Sequence, residues 1–371
     1  MRAKRITATK TRWAANTEIV GITLQFGIAT DTLLPANYNY YLHAWFLREV
    51  EKDDPALSAY LHDGQSEKPF TLSHLQGKLE SQSHQVLLRG GETYTWTITA
   101  LYKPLCEWLA KWLETLPPAI ELRKASLPLR QVEISPSPQT YAQLFDAEIP
   151  SDRNISFRFI TPTGFRSKGH HLPLPIPHNI FHSYLRRWQD FSGYDCDAED
   201  FLAWVDEVVF VSSHEIKSSR VTVGKQGTVT GFTGVVEFGV ERKAAKQPDY
   251  ERLLYALARF ATYCATGHKT TFGLGQTRLG EEVSKEESML PALQTVLADR
   301  MAYLTDVFLQ LKKNPDGDRA KHSASIWATI MARRELGESL QAISLDLEMP
   351  YETVKSYCKL ARRALSDLKN P

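Results

Sequence analysis

The chain has 371 residues, 43% of them hydrophobic, and carries 44 basic against 43 acidic side chains for a net charge of +1. That apolar content supports folded cores and excludes wholesale disorder. The near-neutral balance excludes holding a polyanion through a global positive field, so such a partner would need a local patch. From the amino terminus, residues 19–26 (I-V-G-I-T-L-Q-F) are β-branched and read as a strand, and residues 38–51 as a helix with Leu42, Trp45, Phe46 and Val50 on one side. Residues 70–75 and 93–101 alternate with period two and read as strands. Pro104 suits the first turn of a helix that runs to Leu116, where Pro117 and Pro118 end it. Residues 126–135 complete a β-α-β-β-α-β order, the ferredoxin-like plan.

Residues 135–139 (S-P-S-P-Q) are a candidate linker, after which the plan repeats. Strands are expected at 155–161, from 208, at 220–223, 234–240 and 271–279, with helices at 179–191 and 250–264. Beyond Gly280 the strand signals stop. Glu281, Glu282, Glu286 and Glu287 open a helix-rich tail, residues 314–317 (N-P-D-G) form a turn, and two helices flank Glu348, Met349 and Pro350. Leu340, Ile343 and Leu347 line the first of these; Val354, Cys358, Ala361 and Leu365 line the second. The expected class is α+β: two tandem ferredoxin-like (RRM-like) domains, 1–148 and 149–285, then an all-helical extension, 286–371. The final pair resembles a sigma-factor-type helix-turn-helix that would turn Lys355, Lys359, Arg362 and Arg363 toward DNA. A helical pair packing on a partner protein is the alternative.

Four dispersed cysteines without a C-x-x-C make zinc ribbons and disulfides unexpected, and fit a reducing cytoplasm. The basic start, M-R-A-K-R, lacks a following apolar run, and no stretch approaches the ~20 apolar residues that span a bilayer. A soluble, cytoplasmic protein with no membrane contact is expected.

The densest motif is residues 265–280, A-T-G-H-K-T-T-F-G-L-G-Q-T-R-L-G. Gly267, Gly273 and Gly275 would let phosphates approach the main chain, with Lys269 and Arg278 supplying charge. The phosphate-loop pattern G-x-x-x-x-G-K-[ST] is absent, and this loop follows a helix where such loops follow a strand. Taken alone, it is equally a glycine-rich turn before a last strand.

That motif resembles the carboxy-terminal signature of the CRISPR repeat-processing endoribonucleases of the RAMP superfamily. Two further segments resemble the same family in the same order: Y-Y-L-H-A-W-F-L-R-E-V with A-Y-L-H-D-G and E-K-P-F-T-L-S over residues 40–73, and T-P-T-G-F-R-S-K-G-H-H-L-P-L-P with I-F-H-S-Y-L-R-R-W over 161–188. The resemblance implies an enzyme that cuts CRISPR repeat RNA without metal or other cofactor. The RNA's own 2′-OH would attack, leaving 2′,3′-cyclic phosphate and 5′-OH ends. It implies as partners the repeat RNA or the guide stem-loop, with other CRISPR effector subunits as further ones; the carboxy-terminal helices depart from the family, most of whose members end near the glycine loop, and their own pattern adds DNA or protein as a partner there. It places a loop histidine at His62 and a lysine at Lys68.

Such chemistry needs proton transfer, suited to histidine, and charge stabilisation, suited to lysine or arginine. Many family members add a tyrosine in the first helix; here that position is Leu47. His43, one turn earlier, is a second proton-transfer candidate, with Tyr40 and Tyr41 close by in sequence. Arg166 and Lys168 are candidate phosphate contacts, as are Arg186 and Arg187 on a helix face. A hairpin carrying Lys217, Arg220 and Lys225 is expected to grip an RNA stem by shape and backbone. His178 and His182 have metal-ligand spacing but no accompanying carboxylate motif, and adjacent His170 and His171 point to opposite sides of an extended chain. Two other readings stand beside the nuclease: a catalytically weak RNA-binding subunit, and a DNA-binding regulator acting through its last helices.

Overall fold

The computed structural model describes residues 13–63, 67–82, 85–122, 125–223, 227–280, 292–312, 315 and 317–369. The amino-terminal half runs β1 (Val20–Gly27), β2 (Thr32–Pro35), α1 (Tyr38–Asp53), α2 (Pro55–His62), β3 (Phe70–Leu72), β4 (Leu79–Gln82), β5 (Gln85–Leu88), β6 (Thr93–Ala100), α3 (Lys103–Trp112), β7 (Ala119–Leu122), β8 (Ala125–Ile134) and α4 (Tyr141–Phe145). Its main sheet has the order β3-β6-β1-β8-β7, antiparallel throughout. With α1 and α3 as crossovers, this is a ferredoxin-like unit extended by one strand. The core is aromatic: Trp45 meets Trp96 edge-on at 6.1 Å, and Trp108 stacks on Trp112 at 5.3 Å.

The second half runs β9 (Asn154–Thr163), β10 (Phe165–Ser167), β11 (His170–Leu172), α5 (Pro177–Ser192), α6 (Ala198–Val208), β12 (Val209–Thr222), β13 (Thr228–Val240), α7 (Pro248–Cys264) and β14 (Thr277–Leu279). Its sheet order, β12-β13-β9-β14, is again ferredoxin-like. Prolines open α5 and α7 where an N–H has no helical partner to lose. Phe157 packs edge-on against Phe238 and Tyr184 at the centre of this second core.

Local rules were overridden in several places. The strand expected over 271–279 is confined to Thr277–Leu279; Gly273 and Gly275, at φ 84° and 70°, turn the chain, and Thr270–Phe272 coils into a 3-10 turn. His62 is not in a loop but ends α2, a helix that Pro55 opens and the Asp54 carboxylate caps by accepting from the Leu57 N–H at 2.9 Å. The separate strand expected at 220–223 is the end of the long β12. The small β2-β5-β4 sheet and α6 were not legible as separate elements.

The extension is helical: α8 (Ala292–Gln310), α9 (Asp318–Glu335), α10 (Leu340–Leu347) and α11 (Tyr351–Lys369). Glu281, Glu282, Glu286, Glu287 and Asn314 lie outside the described residues. Ile343, Leu347, Val354, Cys358 and Ala361 are buried together with Leu304, Phe308 and Ile330 in a third core. The extension does not hang free. α8 lies along β12, with Asp299 3.8 Å from Arg220, and Asp346 reaches the amino-terminal unit. There its carboxylate accepts from the Tyr41 hydroxyl and from Asn37 Nδ2 (3.0 Å) while pairing with Arg333 at 2.7 Å. Burial works against its charge, but Arg333, Tyr41 and Asn37 together hold its pKa below the usual carboxylate value. A depressed carboxylate stabilises the fold above its unfolded pKa, and that contribution is lost as pH falls through the lower folded value. Asp346→Ala should therefore cost about 1–3 kcal/mol at neutral pH and less in strong acid, measured by chemical denaturation; an unchanged midpoint would show that the contact does not hold the extension in place.

Candidate active site at the junction of the two sheets

The glycine-rich stretch does not stand open as a bare phosphate cradle. Most of its N–H groups are already used: Gly267 N donates to Ser183 Oγ (2.8 Å), His268 N to Gly164 O (3.3 Å), Phe272 N to Lys269 O (3.0 Å) and Gly275 N to Pro162 O (3.2 Å). Its glycines answer to close backbone approach. A Cβ on Gly275 would lie 1.8 Å from the Thr266 carbonyl oxygen, and one on Gly267 2.3 Å from that of Gly164. At Gly273 the neighbour is His74, 2.6 Å away. The loop is a packed wedge set by glycine, and its side chains at the crest are what it presents.

Arg187 fastens this wedge. Expected on a solvated helix face, it is instead buried, because its guanidinium reaches inward from α5 to the Gly267 carbonyl (2.7 Å), the Ala265 carbonyl (3.4 Å) and Ser183. Its Nε pairs with Glu67 of the other unit at 3.3 Å. Arg186 beside it, half-exposed, meets the same carboxylate at 3.1 Å. A buried hydroxyl chain, Tyr184–Thr266–Thr277, with both contacts 2.6 Å, supports the loop from below. Across the junction the Thr71 hydroxyl donates to the Tyr263 carbonyl at 3.1 Å.

Thus anchored, the loop lays Phe272 on the ring of His43, 4.6 Å between centroids and 18° apart, with Phe70 at 6.0 Å. Burial, and then neighbouring His62, Lys68 and Lys269, push His43 down to about 4. Those four side chains, distant in sequence, thus share one electrostatic neighbourhood. Lys269 is exposed at the crest, in the left-handed region at φ 62°, with its Nζ 5.5 Å from the Phe272 ring centroid. Lys68 donates to the carbonyls of Leu61 (2.9 Å) and Asp63, closing the end of α2 that carries the exposed His62. Burial lowers its pKa, and Asp63 opposes that shift. Leu47 is in the core at 3% exposure. Beneath the loop, fully buried His74 takes the Asn39 amide at 2.6 Å, and its Nε2 has no hydrogen-bond partner among the described residues; burial lowers it to about 3.

The other expected contacts fall along one route. Arg166 and Lys168 are exposed on the β10–β11 hairpin, where His171 stacks on His268 of the loop at 5.2 Å. Arg166 and Lys269 both bear on His268, and Arg166 and Arg220 both bear on His171, each depressing the histidine below its ordinary value after burial has done so. Lys217 is exposed on β12, whereas Arg220 is half-covered by the extension; Lys225 lies outside the described residues. His178 meets Asp206 at 2.8 Å, and its ring lies 6.2 Å from that of His182. Lys355, Lys359, Arg362 and Arg363 stand exposed on α11. Phe272, His74 and His268 were missed from the sequence. Only the lone aromatic within G-H-K-T-T-F-G was a usable signal for any of them.

Paired ferredoxin-like units closed by a glycine-rich loop define the RAMP class. Comparison with known proteins narrows this. The model for the Cas6 amino-terminal domain matches residues 26–144, and that for the CRISPR-associated endoribonuclease Cas6 matches residues 157–277. A curated relative, the CRISPR-associated endoribonuclease Cas6 of Streptococcus thermophilus, is 24% identical over 64% of this chain and 90% of its own. Among solved structures, a Cas6 product complex is 27% identical with TM-score 0.55, covering 71% of this chain and 99% of that one. The Cas6 of Thermus thermophilus, at 24% identity and TM-score 0.54 with the same coverage, shares the fold. The chain belongs to the Cas6 family of CRISPR-associated endoribonucleases. Among the described residues no helix is long and apolar enough to cross a membrane.

Two measurements test the site. Because burial, to which the stacked Phe272 ring contributes, depresses His43 most, Phe272→Ala should raise its pKa from about 4 toward the ordinary 6.5, followed by the imidazole NMR shift against pH; an unmoved value would show that the ring does not bury it. Gly275→Ala, which forces a Cβ into backbone at positive φ, should cost more than about 2 kcal/mol of stability, whereas Lys269→Ala, at an exposed side chain, should leave the melting temperature unchanged. Equal melting temperatures for both variants would contradict the wedge.

Proposed function

We propose that this chain cuts CRISPR repeat RNA in precursor transcripts without a metal ion, and that His43, His62, Lys68 and Lys269 form the cleavage site. The observation that carries the reading is the stack that the loop's Phe272 makes on His43, beside His62 and the two lysines. With its pKa near 4, His43 is neutral at physiological pH and free to accept a proton. It takes the 2′-OH proton as O2′ attacks phosphorus. The P–O5′ bond breaks and His62, as general acid, supplies the proton that O5′ needs. Lys269 at the crest balances the charge that builds on the non-bridging oxygens. Lys68 acts mainly by holding the end of α2, and so the place of His62, while its own charge adds to the field. The products are a 2′,3′-cyclic phosphate and a 5′-OH.

The route from Lys269 past Arg166 and His171 to β12 supports the RNA's approach, since duplex RNA is gripped through shape and backbone. Gly267, Gly273 and Gly275 contribute by shaping the loop, and Arg187 by fastening it. The buried Leu47 favours one other reading, an RNA-binding subunit that keeps the stem-loop and cuts weakly.

One assay separates them. In chelator the wild-type protein should cleave repeat RNA, while His62→Ala and His43→Ala should each lose about 10²–10⁴-fold in single-turnover rate with the dissociation constant nearly unchanged. Binding without wild-type cleavage would favour the weak subunit. Cleavage abolished by chelator would overturn the metal-free mechanism.

A further inference from the structure

The matched family models end at residue 277, before the last helices of this chain, and the proposed RNA chemistry does not use those helices. α10 spans eight residues, its start capped by the Ser339 hydroxyl, which accepts from the Ala342 N–H at 3.1 Å. Glu348, in the left-handed region at φ 53°, ends it. Met349 and Pro350 then lead into the 19-residue α11, and α9 packs against both helices. Two helices joined by a three-residue turn and backed by a third make a helix-turn-helix.

α11 has two unlike sides. Val354, Cys358 and Ala361 are buried against α9. The opposite side exposes Lys355, Ser356, Lys359, Arg362 and Arg363. Its one acid among the described side chains is Glu352, 3.3 Å from Lys355. Tyr351 and Leu360, exposed at 39% and 47%, flank this row. In a chain whose net charge is +1, four cations on two turns and a half of one helix are a strong local field.

We propose that this face of α11 binds double-stranded DNA, with the helix in the major groove and the four cations on phosphates and base edges. The B-form major groove, about 12 Å wide, admits an α-helix. The deep, narrow major groove of A-form RNA does not, which separates this face from the repeat-RNA site. A protein partner is disfavoured because interface cores are depleted in lysine. The contact of Asp346 with Arg333, Tyr41 and Asn37 fixes the motif to the amino-terminal unit, so bound DNA would hold a set orientation to α1.

The test uses the full chain and a labelled ~30-base-pair duplex DNA, read by anisotropy from about 50 to about 200 mM salt. Wild-type protein should bind at low salt with micromolar or tighter affinity. The quadruple variant K355A/K359A/R362A/R363A should bind at least about 10-fold more weakly, with a log–log salt slope shallower by about 3–4. Its melting temperature and repeat-RNA cleavage should match wild type. The proposal is overturned if wild-type protein does not bind the duplex, or if the variant binds equally. It also fails if duplex RNA of the same sequence competes as well as DNA, or if the variant loses RNA cleavage, since the face would then serve RNA.

Discussion

The guanidinium of Arg187 joins three parts of the molecule that the chain keeps far apart: α5, the carbonyls at the start of the glycine-rich loop, and Glu67 of the other ferredoxin-like unit. A buried cation is tolerable only where its donors are met and its charge is balanced, and removing one partner of such a pair typically costs about 3–5 kcal/mol. All of this requirement is met at the junction, so the two units cannot shift there without stranding the charge. The position of the loop, and of everything it touches, follows from that constraint.

Glycine then decides how close the loop can come. At Gly267 and Gly275 the opposing atoms are backbone carbonyls that cannot swing aside, so a side chain would lift the loop away from the sheet below it. The consequence is felt on the far side, where Phe272 meets His43. A histidine under an aromatic ring and beside two lysines is kept neutral by desolvation and by like charge together. In the proposed function this neutral imidazole, beside an exposed histidine and a lysine at the crest, would accept the proton. Loop packing and the protonation of His43 are therefore coupled through one stacked pair.

The extension adds a second buried charge set with the same logic. Asp346 is balanced by Arg333 and completed by Tyr41 and Asn37, side chains of the segment that opens α1. α8 meanwhile lies along β12 and draws Arg220 to Asp299. The helices thus bear on both units, one through a carboxylate and the other through a strand edge, and leave the cationic side of α11 outward.

Patterns of local origin were legible in the chain itself. Period-two alternation marked β6, the apolar stripes of α1 and α7 marked their buried faces, and Pro104 marked the start of α3, because each depends only on residues a few positions apart. The family motifs likewise directed attention to His43, His62, Lys68 and Lys269. Tertiary structure alone decided what those residues meet. It turned Arg187 from a surface contact into a buried anchor, made the glycines a matter of backbone clearance, ended α2 at His62, and cut the last strand to Thr277–Leu279. For the buried Arg187 and the stacked His43 the physical reason is the same: charge balance and desolvation depend on atoms brought together across 80 to 230 positions of chain, roughly the span from Arg187 to Gly267 or His43 to Phe272, and no local pattern encodes such distances.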